Sequence, residues 1–525
     1  MNKKEASNGN SKETSVFWAV AVLVVLIGPF MAILDSSIVN VAIPTIMHVF
    51  NTNTSTVEWV VTIYMLALGV VVPLSSWLGN RLGLKTLYIL SLSVFTLGSM
   101  LCAFSWNITS LIVSRVVQAI GGGMIMPTTM SMIYSLVPRE RFGSAMGIFG
   151  IALMVAPAIG PTLGGYLVEY VNWRWIFTIN LPIGILGILL AYLILSEFPR
   201  SKAGKLDVGG ALTAGTGLFC LLLALNKGND WGWGSEKIVL LLYTSAVSLG
   251  LFVFLELTCE NPLLDLRVFR YPTFTLANLM LVIVTICLNA GVFYVPLFLQ
   301  NIRGLGAMKT GLLMMPAALV SGLMMPIAGR LFDRTGPRAV SIAGLLILAY
   351  TTFLFHRLDL NTPFSVIQLW LVMRSVGMSL GMMPPQTAAI SSVPPHLVGQ
   401  ASAINNIISR VSGSFGIAIL TSILNKRQNL HSAVLAANIS PYNPAVEAFF
   451  RQVESRLGAG AASTAEARSL ALAYLQGAVS KMSFVKALDD IFVIMTVIVV
   501  FALIPALFIR KGSGSERTHG VPSIE

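Results

Sequence analysis

Charged residues are scarce in this sequence: Asp, Glu, Lys and Arg make up 11% of it, against about 25% in soluble proteins. Hydrophobic residues account for 55% of the chain, and the mean hydropathy is +0.79. Apolar runs of about 18 residues or more, the length that a membrane-spanning helix needs, recur from end to end. The composition therefore argues against a soluble domain and predicts an all-α membrane protein.

Residues for metal, redox or nucleotide chemistry are few and scattered. The four cysteines show no CxxC or disulfide spacing, and the five histidines lie in loops, tails or span ends. The sequence has no GxxxxGK[ST] phosphate loop, which argues against direct use of ATP. We therefore expect no metal, no cofactor and no enzymatic activity. The net charge of +12 does not indicate nucleic acid, because the basic residues are spread over short loops.

Fourteen apolar stretches are predicted to cross the membrane. They lie near residues 17–43, 56–78, 86–105, 109–131, 142–168, 174–196, 206–226, 237–258, 273–299, 309–329, 338–356, 363–386, 398–424 and 487–509. An even number of spans places both termini on one side. Lys and Arg are concentrated in the short loops and tails of that side, so the positive-inside rule predicts cytoplasmic termini in a multi-pass cell-membrane protein.

The second part of the chain repeats features of the first. Val137-Pro138, Gly143 and Gly160 recur 256 positions later as Val393-Pro394, Gly399 and Gly416, and Arg115 has a counterpart in Arg374. We predict two parallel six-helix bundles, residues 1–196 and 273–525, separated by an inserted helix pair at 197–272, with a long outer loop at 426–486. Parallel repeats are typical of transporters that bind substrate between the halves.

Several motifs resemble those of one family. They are LDSSIVNVAIP (34–44), SWLGNRLGLK (76–85), its second copy GRLFDRTGPR (329–338), RVVQAIGGG (115–123), GPTLGG (160–165) and NWRWIFTINLPIG (172–184). Together they resemble the fourteen-span drug:proton antiporters of the major facilitator superfamily, EmrB/QacA type. The resemblance implies the major facilitator fold and antibiotic-resistance transport, in which the proton gradient drives export of small lipophilic compounds from the cell membrane by alternating access.

Asp35 is a carboxylate in the middle of the first span. Removal from water disfavours its charged form, so such a residue can take up a proton from one side and release it to the other. Arg115 in the fourth span cannot lose its proton, and its approach to Asp35 would favour proton release. Gln118, one turn further on, could share either this role or substrate binding. The alternatives are an acid permanently paired to hold two helices together and an arginine bonded only to helix carbonyls.

The resemblance assigns a gating role to two loop motifs and to the fifth span. The residues are Asn80, Arg81, Gly83, Lys85, Asp333, Arg334, Gly336 and Arg338 in the loops, with Pro157, Gly160, Pro161, Gly164 and Gly165 in the span. The loop acid can bond helix ends as a latch that opens and shuts. Because Asn80 stands where the family pattern has Asp, we expect the first latch to be weaker. The fifth-span motif suits a close, bendable contact, with simple packing as the alternative.

The C-terminal half offers three polar candidates for the substrate pocket. Arg374 and Arg410 lie inside predicted spans, and Asn406 shares a helix face with Arg410. Polar residues inside a membrane are functional candidates, although they could only stabilise the bundle. Because Asp35 is the one deep carboxylate, we expect neutral compounds, monovalent cations and weak acids to be exported better than dications.

Other functions and partners stay open at this stage. Proton-coupled transport of one specific metabolite, by uptake or export, is the main alternative, and a non-transporting membrane sensor is the other. Membrane lipid, protons and lipophilic substrates are the expected partners. The outer loop at 426–486 is predicted to cap the outer mouth or to dock a periplasmic adaptor protein.

Overall fold

The computed structural model describes residues 3–138, 141–197, 206–259, 262–437, 439, 446–448, 451 and 464–509. In this part of the chain, fourteen helices are long and apolar enough to cross a membrane. Spans 1 to 14 are Trp18–Val49, Thr54–Val71, Leu84–Ala103, Ile108–Leu136, Phe142–Val171, Trp175–Ile194, Val208–Trp231, Glu236–Thr258, Pro272–Ile302, Met308–Thr335, Pro337–Arg357, Phe364–Ser391, Pro395–Ala437 and Ser469–Phe508. The prediction of an all-α protein with fourteen spans is confirmed.

Capping residues and glycines determine where several spans begin and end. Asn107 starts span 4 with a reciprocal capping box, in which Ser110 N donates to Asn107 Oδ1 at 2.7 Å. The helix Leu74–Leu82, which continues span 2 after Pro73, ends at Gly83 with φ 88°. Gly336 ends span 10 in the same way with φ 80°. Residues other than glycine rarely adopt these φ values, so glycine permits the sharp turn between neighbouring spans.

The two halves meet tightly along spans 5 and 10, on the side that holds both termini (the termini side). A Cβ added to Gly143 would collide with Gly329, and one added to Gly147 would collide with the backbone of Pro326. Small residues let the two helix backbones approach closely where side chains would hold them apart. Span 13 packs in turn against the helix Leu74–Leu82 that continues span 2, which is the symmetric position in the repeat.

Span 7 of the inserted pair (spans 7 and 8) contacts both halves on the side of the membrane opposite the termini. Lys227 pairs with Glu58 of span 2 at 2.6 Å. Asn229 donates to the carbonyl of Ala418 in span 13 at 3.1 Å. This corrects the predicted end of span 7 near residue 226, since the helix continues to Trp231 and buries Lys227, which is 7% exposed. The sequence suggested a loop because a lysine ends the apolar run, but its ion pair allows it to be buried.

The long outer loop predicted at 426–486 is helical at both of its ends. Residues 426–437 continue the helix of span 13, and a helix beginning at Thr464 leads into span 14. The apolar character stops near residue 425, but no Pro or Gly interrupts the chain before Pro441. The two helices are joined beyond their apolar segments, where His431 Nε2 lies 2.8 Å from Asp490 Oδ2. Most of the remaining loop residues lie outside the described part of the chain.

Candidate functional site

Asp35 lies at the centre of a buried network of hydrogen-bond donors. It is 0% exposed, and its two oxygens accept from three side chains on other spans. Arg115 Nη1 lies 2.6 Å from Oδ2. Gln118 Nε2 and Asn180 Nδ2 each lie 2.8 Å from Oδ1. One charged and two neutral donors thus meet at a single carboxylate and join span 1 to spans 4 and 6.

Arg115 is held in place by contacts beyond its pairing with Asp35. Its Nε donates to the Val60 carbonyl at 3.2 Å, and Nη1 also donates to Gln118 Oε1 at 2.6 Å. Its guanidinium lies over the ring of Tyr64, 3.9 Å from the centroid. These contacts keep the charged group positioned by span 2 as well as by span 1. The arginine would therefore stay in the site when the carboxylate changes its charge.

The sequence predicted part of this network and missed the rest. Asp35, Arg115 and Gln118 are brought together, but Gln118 is 0% exposed and its amide is engaged within the network, so substrate cannot contact it in this conformation. Asn180, Ser99 and Tyr64 were not predicted. Ser99 Oγ accepts from Gln118 Nε2 at 2.6 Å and so fixes the orientation of the amide. The motif NWRWIFTINLPIG contains Asn180 and was the available signal.

The glycines of the fifth-span motif lie against span 1, beside Asp35. Ser37 Oγ donates to the carbonyl of Pro157 at 3.3 Å. A Cβ at Gly160 would collide with Ser37, and one at Gly164 would press on Ile38. Gly165, by contrast, faces open space. The first two glycines therefore allow the contact between spans 1 and 5, whereas Gly165 plays no part in it.

Pro157 and Pro161 lie inside the α-helix of span 5. The helix runs from Phe142 to Tyr166 and passes into a π-helical turn at Leu167–Val171. A proline removes one backbone hydrogen bond from the ladder and weakens the helix locally. The bond from Ser37 satisfies the Pro157 carbonyl from outside the helix.

Asp333 connects span 10 to the first turn of span 5 on the termini side. Its Oδ1 accepts from Gly143 N at 3.0 Å, and its Oδ2 accepts from Ser144 N at 3.1 Å and from Ser144 Oγ at 3.0 Å. The first turn of a helix has unpaired N–H groups and a partial positive charge, and a carboxylate satisfies both. Span 10 of one half is thereby fastened to span 5 of the other.

The first loop copy does not form the equivalent contact. The side chain of Asn80, within the helix Leu74–Leu82, makes no hydrogen bond with the described residues. With Ser76, His396 and Gly399 it lines a cavity of about 130 Å³ next to the start of span 13. Gly399 matches Gly143 in the repeat, so this cavity lies where the bonded carboxylate lies in the other copy. The two copies differ in the way that the change from Asp to Asn suggested.

The cations of the loop motifs have separate partners or face outwards. Arg81 lies over the ring of Trp77, 5.0 Å from the centroid. Lys85 Nζ donates to the Tyr192 carbonyl at 3.0 Å. Arg334 and Arg338 are exposed. The observed contact between the halves is thus made by Asp333 and not by these four cations.

The three polar candidates of the C-terminal half have different environments. Arg374 is 5% exposed, and its Nη2 donates to the carbonyl of Cys287. Arg410 is half-buried, and its Nε makes no hydrogen bond with the described residues. Asn406 donates to the Ser402 carbonyl of its own helix at 2.9 Å. The neighbouring Asn405, which was not among the candidates, has both amide atoms buried without a partner in the described part of the chain.

Comparison with known proteins agrees with this architecture. A family model described as Major Facilitator Superfamily matches residues 25–417. The MFS-type transporter YhcA of Bacillus subtilis is 35% identical over 501 residues, covering 95% of this chain and 94% of YhcA. The multidrug resistance protein B homolog of Mycobacterium tuberculosis is 31% identical over 501 residues, covering 94% of this chain and 90% of that protein.

The crystal structure of the human organic anion transporter MFSD10 has the same fold. It superposes with a TM-score of 0.61 and 12% identity, covering 93% of this chain and 99% of that structure. Two halves with an inserted pair, the loop motif in two copies and whole-length similarity to these transporters lead to one assignment. The chain belongs to the Major Facilitator Superfamily, as a fourteen-span member related to multidrug transporters.

Proposed function

We propose that this protein is a proton-coupled exporter of lipophilic compounds that works by alternating access. The observation that carries the proposal is the buried pair of Asp35 and Arg115, 2.6 Å apart at the centre of the N-terminal half. An ion pair buried in a membrane is costly, and side chains of this kind in transporters commonly carry protons. Asn180 and Gln118 orient the carboxyl group of Asp35 by donating to its Oδ1.

Proton binding at Asp35 removes the charge that Arg115 faces. A neutral carboxyl group can keep its bonds with Gln118 and Asn180, since both donate to Oδ1, which leaves Oδ2 as the oxygen that gains the proton. Arg115 then lacks its counter-ion but keeps its contacts with Tyr64 and the Val60 carbonyl. We expect this imbalance to shift span 4 relative to span 1 and so to link the proton to the conformation.

The latch at Asp333 supports alternating access. Three hydrogen bonds fasten spans 10 and 5 on the termini side, which the basic loops predict to be cytoplasmic. To open that side, the protein must break these bonds and separate Gly143 from Gly329. Two states that differ by a few polar contacts are typical of a reversible gate.

The substrate class follows from the relatives and from the charges. The relative in Mycobacterium tuberculosis is named for multidrug resistance, which favours several lipophilic substrates over one metabolite. In spans 9 to 13 the only carboxylate is Asp333, and it is bonded to span 5. A dication would meet no free acid in these five spans, so we propose neutral, monocationic and weakly acidic substrates. An adaptor at the outer helices of spans 13 and 14 is a further proposal.

Transport in vesicles tests the function directly. The purified protein would be reconstituted into proteoliposomes with an imposed pH gradient and a fluorescent lipophilic monocation on the side that corresponds to the cytoplasm. Export that needs the gradient and disappears when a protonophore dissipates it is the expected result. Accumulation in the opposite direction would instead support uptake of a metabolite, and no flux for any compound would support a sensor. The variant Asp35→Asn in the same vesicles controls for leak.

A further inference from the structure

The deeply buried arginines of the two halves have different partners. Arg115 in span 4 and Arg374 in span 12 are 259 positions apart and equivalent in the repeat. Arg115 reaches across to span 1 and pairs with Asp35. Arg374 reaches across to span 9, the counterpart of span 1, where it donates to the Cys287 carbonyl. Span 9 contains no acid that could pair with it.

The position that corresponds to Asp35 is a glycine. Gly291 lies 256 positions after Asp35, the offset that the other repeated residues share. A Cβ added to Gly291 would collide with the guanidinium of Arg374, at Nη1, Nη2 and Cζ. Thus the arginine of the second half points at the place of the missing carboxylate. The second half has the cation of the repeat without its counter-ion.

Arg374 is therefore a buried cation without a matching charge in the described part of the chain. It is 5% exposed, its Nε has no partner, and its one hydrogen bond goes to a neutral carbonyl. No Asp or Glu lies within spans 9 to 13 except Asp333 at the end of span 10. A buried guanidinium with so few partners carries a large desolvation cost, which an anion would offset.

We infer that Arg374 binds the anionic group of a transported compound, and that a carboxylate is the best fit. The inference rests on the proposed export function and names one class of substrate for it. A planar guanidinium offers two parallel N–H groups that match the two oxygens of a carboxylate. Cys287, Ala290 and Tyr294, which neighbour Gly291 along span 9, are buried and largely apolar, which favours a compound whose remaining surface is apolar. A chloride ion carries the same charge as a carboxylate and is the other anion that could occupy this site.

Binding of a matched pair of ligands to the purified protein tests the inference. Anthracene-9-carboxylate and 9-anthracenemethanol share one ring system and differ in charge. We expect the wild type to prefer the carboxylate by about tenfold or more, the range of a charge-assisted hydrogen bond. Gly291→Asp would supply the missing acid and should abolish the preference. Arg374→Gln should lose the preference, whereas Arg374→Lys, which keeps the positive charge but not the planar fork, should retain part of it.

Three results would overturn the inference. If Arg374→Gln kept the preference, a group other than Arg374 would bind the carboxylate. If the wild type bound both ligands equally, Arg374 would be a structural residue. If replacing isethionate, an anion without a carboxylate, by chloride raised the melting temperature while anthracene-9-carboxylate had no effect, the occupant would be chloride and not substrate. The thermal unfolding of each variant shows whether it is folded, and Arg374→Gln carries the test if Gly291→Asp is not.

The same ligands can distinguish failure of the inference from failure of the proposed function. Binding is measured without a proton gradient, so a carboxylate preference can be present even if no export is found. In that case the proposed export is wrong and the anion site remains. Conversely, gradient-driven export of a monocation with no carboxylate preference would keep the export function and refute the anion site.

Discussion

Replacing Asp35 with Asn should abolish proton-driven export and lower stability by an amount that the structure allows us to estimate. The amide keeps the shape of the side chain and one acceptor oxygen, which can still serve Gln118 and Asn180. Its NH₂ group would take the place of Oδ2, which lies 2.6 Å from Arg115 Nη1 in the wild type. Two hydrogen-bond donors would then face each other. Removing one partner of a buried ion pair costs about 3–5 kcal/mol.

The lower end of that range is the better estimate for this site. The guanidinium keeps its bond to the Val60 carbonyl and its stacking on Tyr64, so it is not left without any partner. We therefore expect Asp35→Asn to destabilise the protein by about 3 kcal/mol. The double variant Asp35→Asn with Arg115→Gln removes both charges, and it should be more stable than Asp35→Asn alone. With Arg115→Gln as the second single variant, the double-mutant cycle gives the coupling energy of the pair.

Two measurements on the wild type and these variants check this reasoning. Unfolding by a denaturing detergent, followed by tryptophan fluorescence, gives the free-energy differences. Efflux from proteoliposomes under a pH gradient gives the activity, and binding of the lipophilic dye without a gradient shows whether the pocket is intact. Wild-type efflux by Asp35→Asn would refute the proton role. A loss of efflux with no change in stability, in contrast, would show that the ion pair is not the state that the folded protein normally occupies.

Further predictions concern the latch, the inserted pair and the substrate charge. Asp333→Asn should slow transport several-fold because two backbone donors of span 5 lose a charged acceptor, whereas Asn80→Asp should be tolerated. Equal rates for Asp333→Asn and the wild type in a vesicle efflux assay would contradict the latch. Lys227→Met should lower the free energy of unfolding by only about 1 kcal/mol, because its partner Glu58 in span 2 is 42% exposed and can be solvated when the lysine is lost. Unfolding in a denaturing detergent measures this difference, with Lys237→Met as the control. A bisquaternary compound should be exported more slowly than a monoquaternary dye of similar size; the reverse order would show that the pocket contains acids that we have not identified.

Hydropathy predicts where the spans lie, but it does not predict their contacts or where each helix ends. A stretch such as Pro272–Ile302 is apolar over more than the thickness of the membrane, so its existence follows from hydropathy alone. The ends are set by other features. Lys227 is buried because of Glu58, and the helix of span 13 passes beyond the apolar region because nothing breaks it. Neither the ion pair nor the extension changes the hydropathy, so a search for apolar runs does not detect them.

The charged residues of the candidate site could be predicted from the sequence, because a charge buried in the membrane requires an opposite charge. Asp35 and Arg115 are 80 positions apart, but each is costly to bury alone, so their pairing follows from the chemistry of the membrane. Asn180 and Ser99 are neutral residues that would be tolerated in many places. Only the packing of spans 3 and 6 against span 1 shows that they orient the carboxylate and the amide of Gln118.

Span 5 connects the proposed proton site with the proposed latch. Its first turn donates two backbone hydrogen bonds to Asp333, and its middle contacts Ser37 through the Pro157 carbonyl. Ser37 lies two residues after Asp35 on span 1. If the latch opens and the first turn of span 5 moves, the contact at Pro157 has to move or bend, and it is there that the helix is weakest because a proline removes a bond. A single helix can therefore carry a change in the proton site to the gate, without a longer chain of residues.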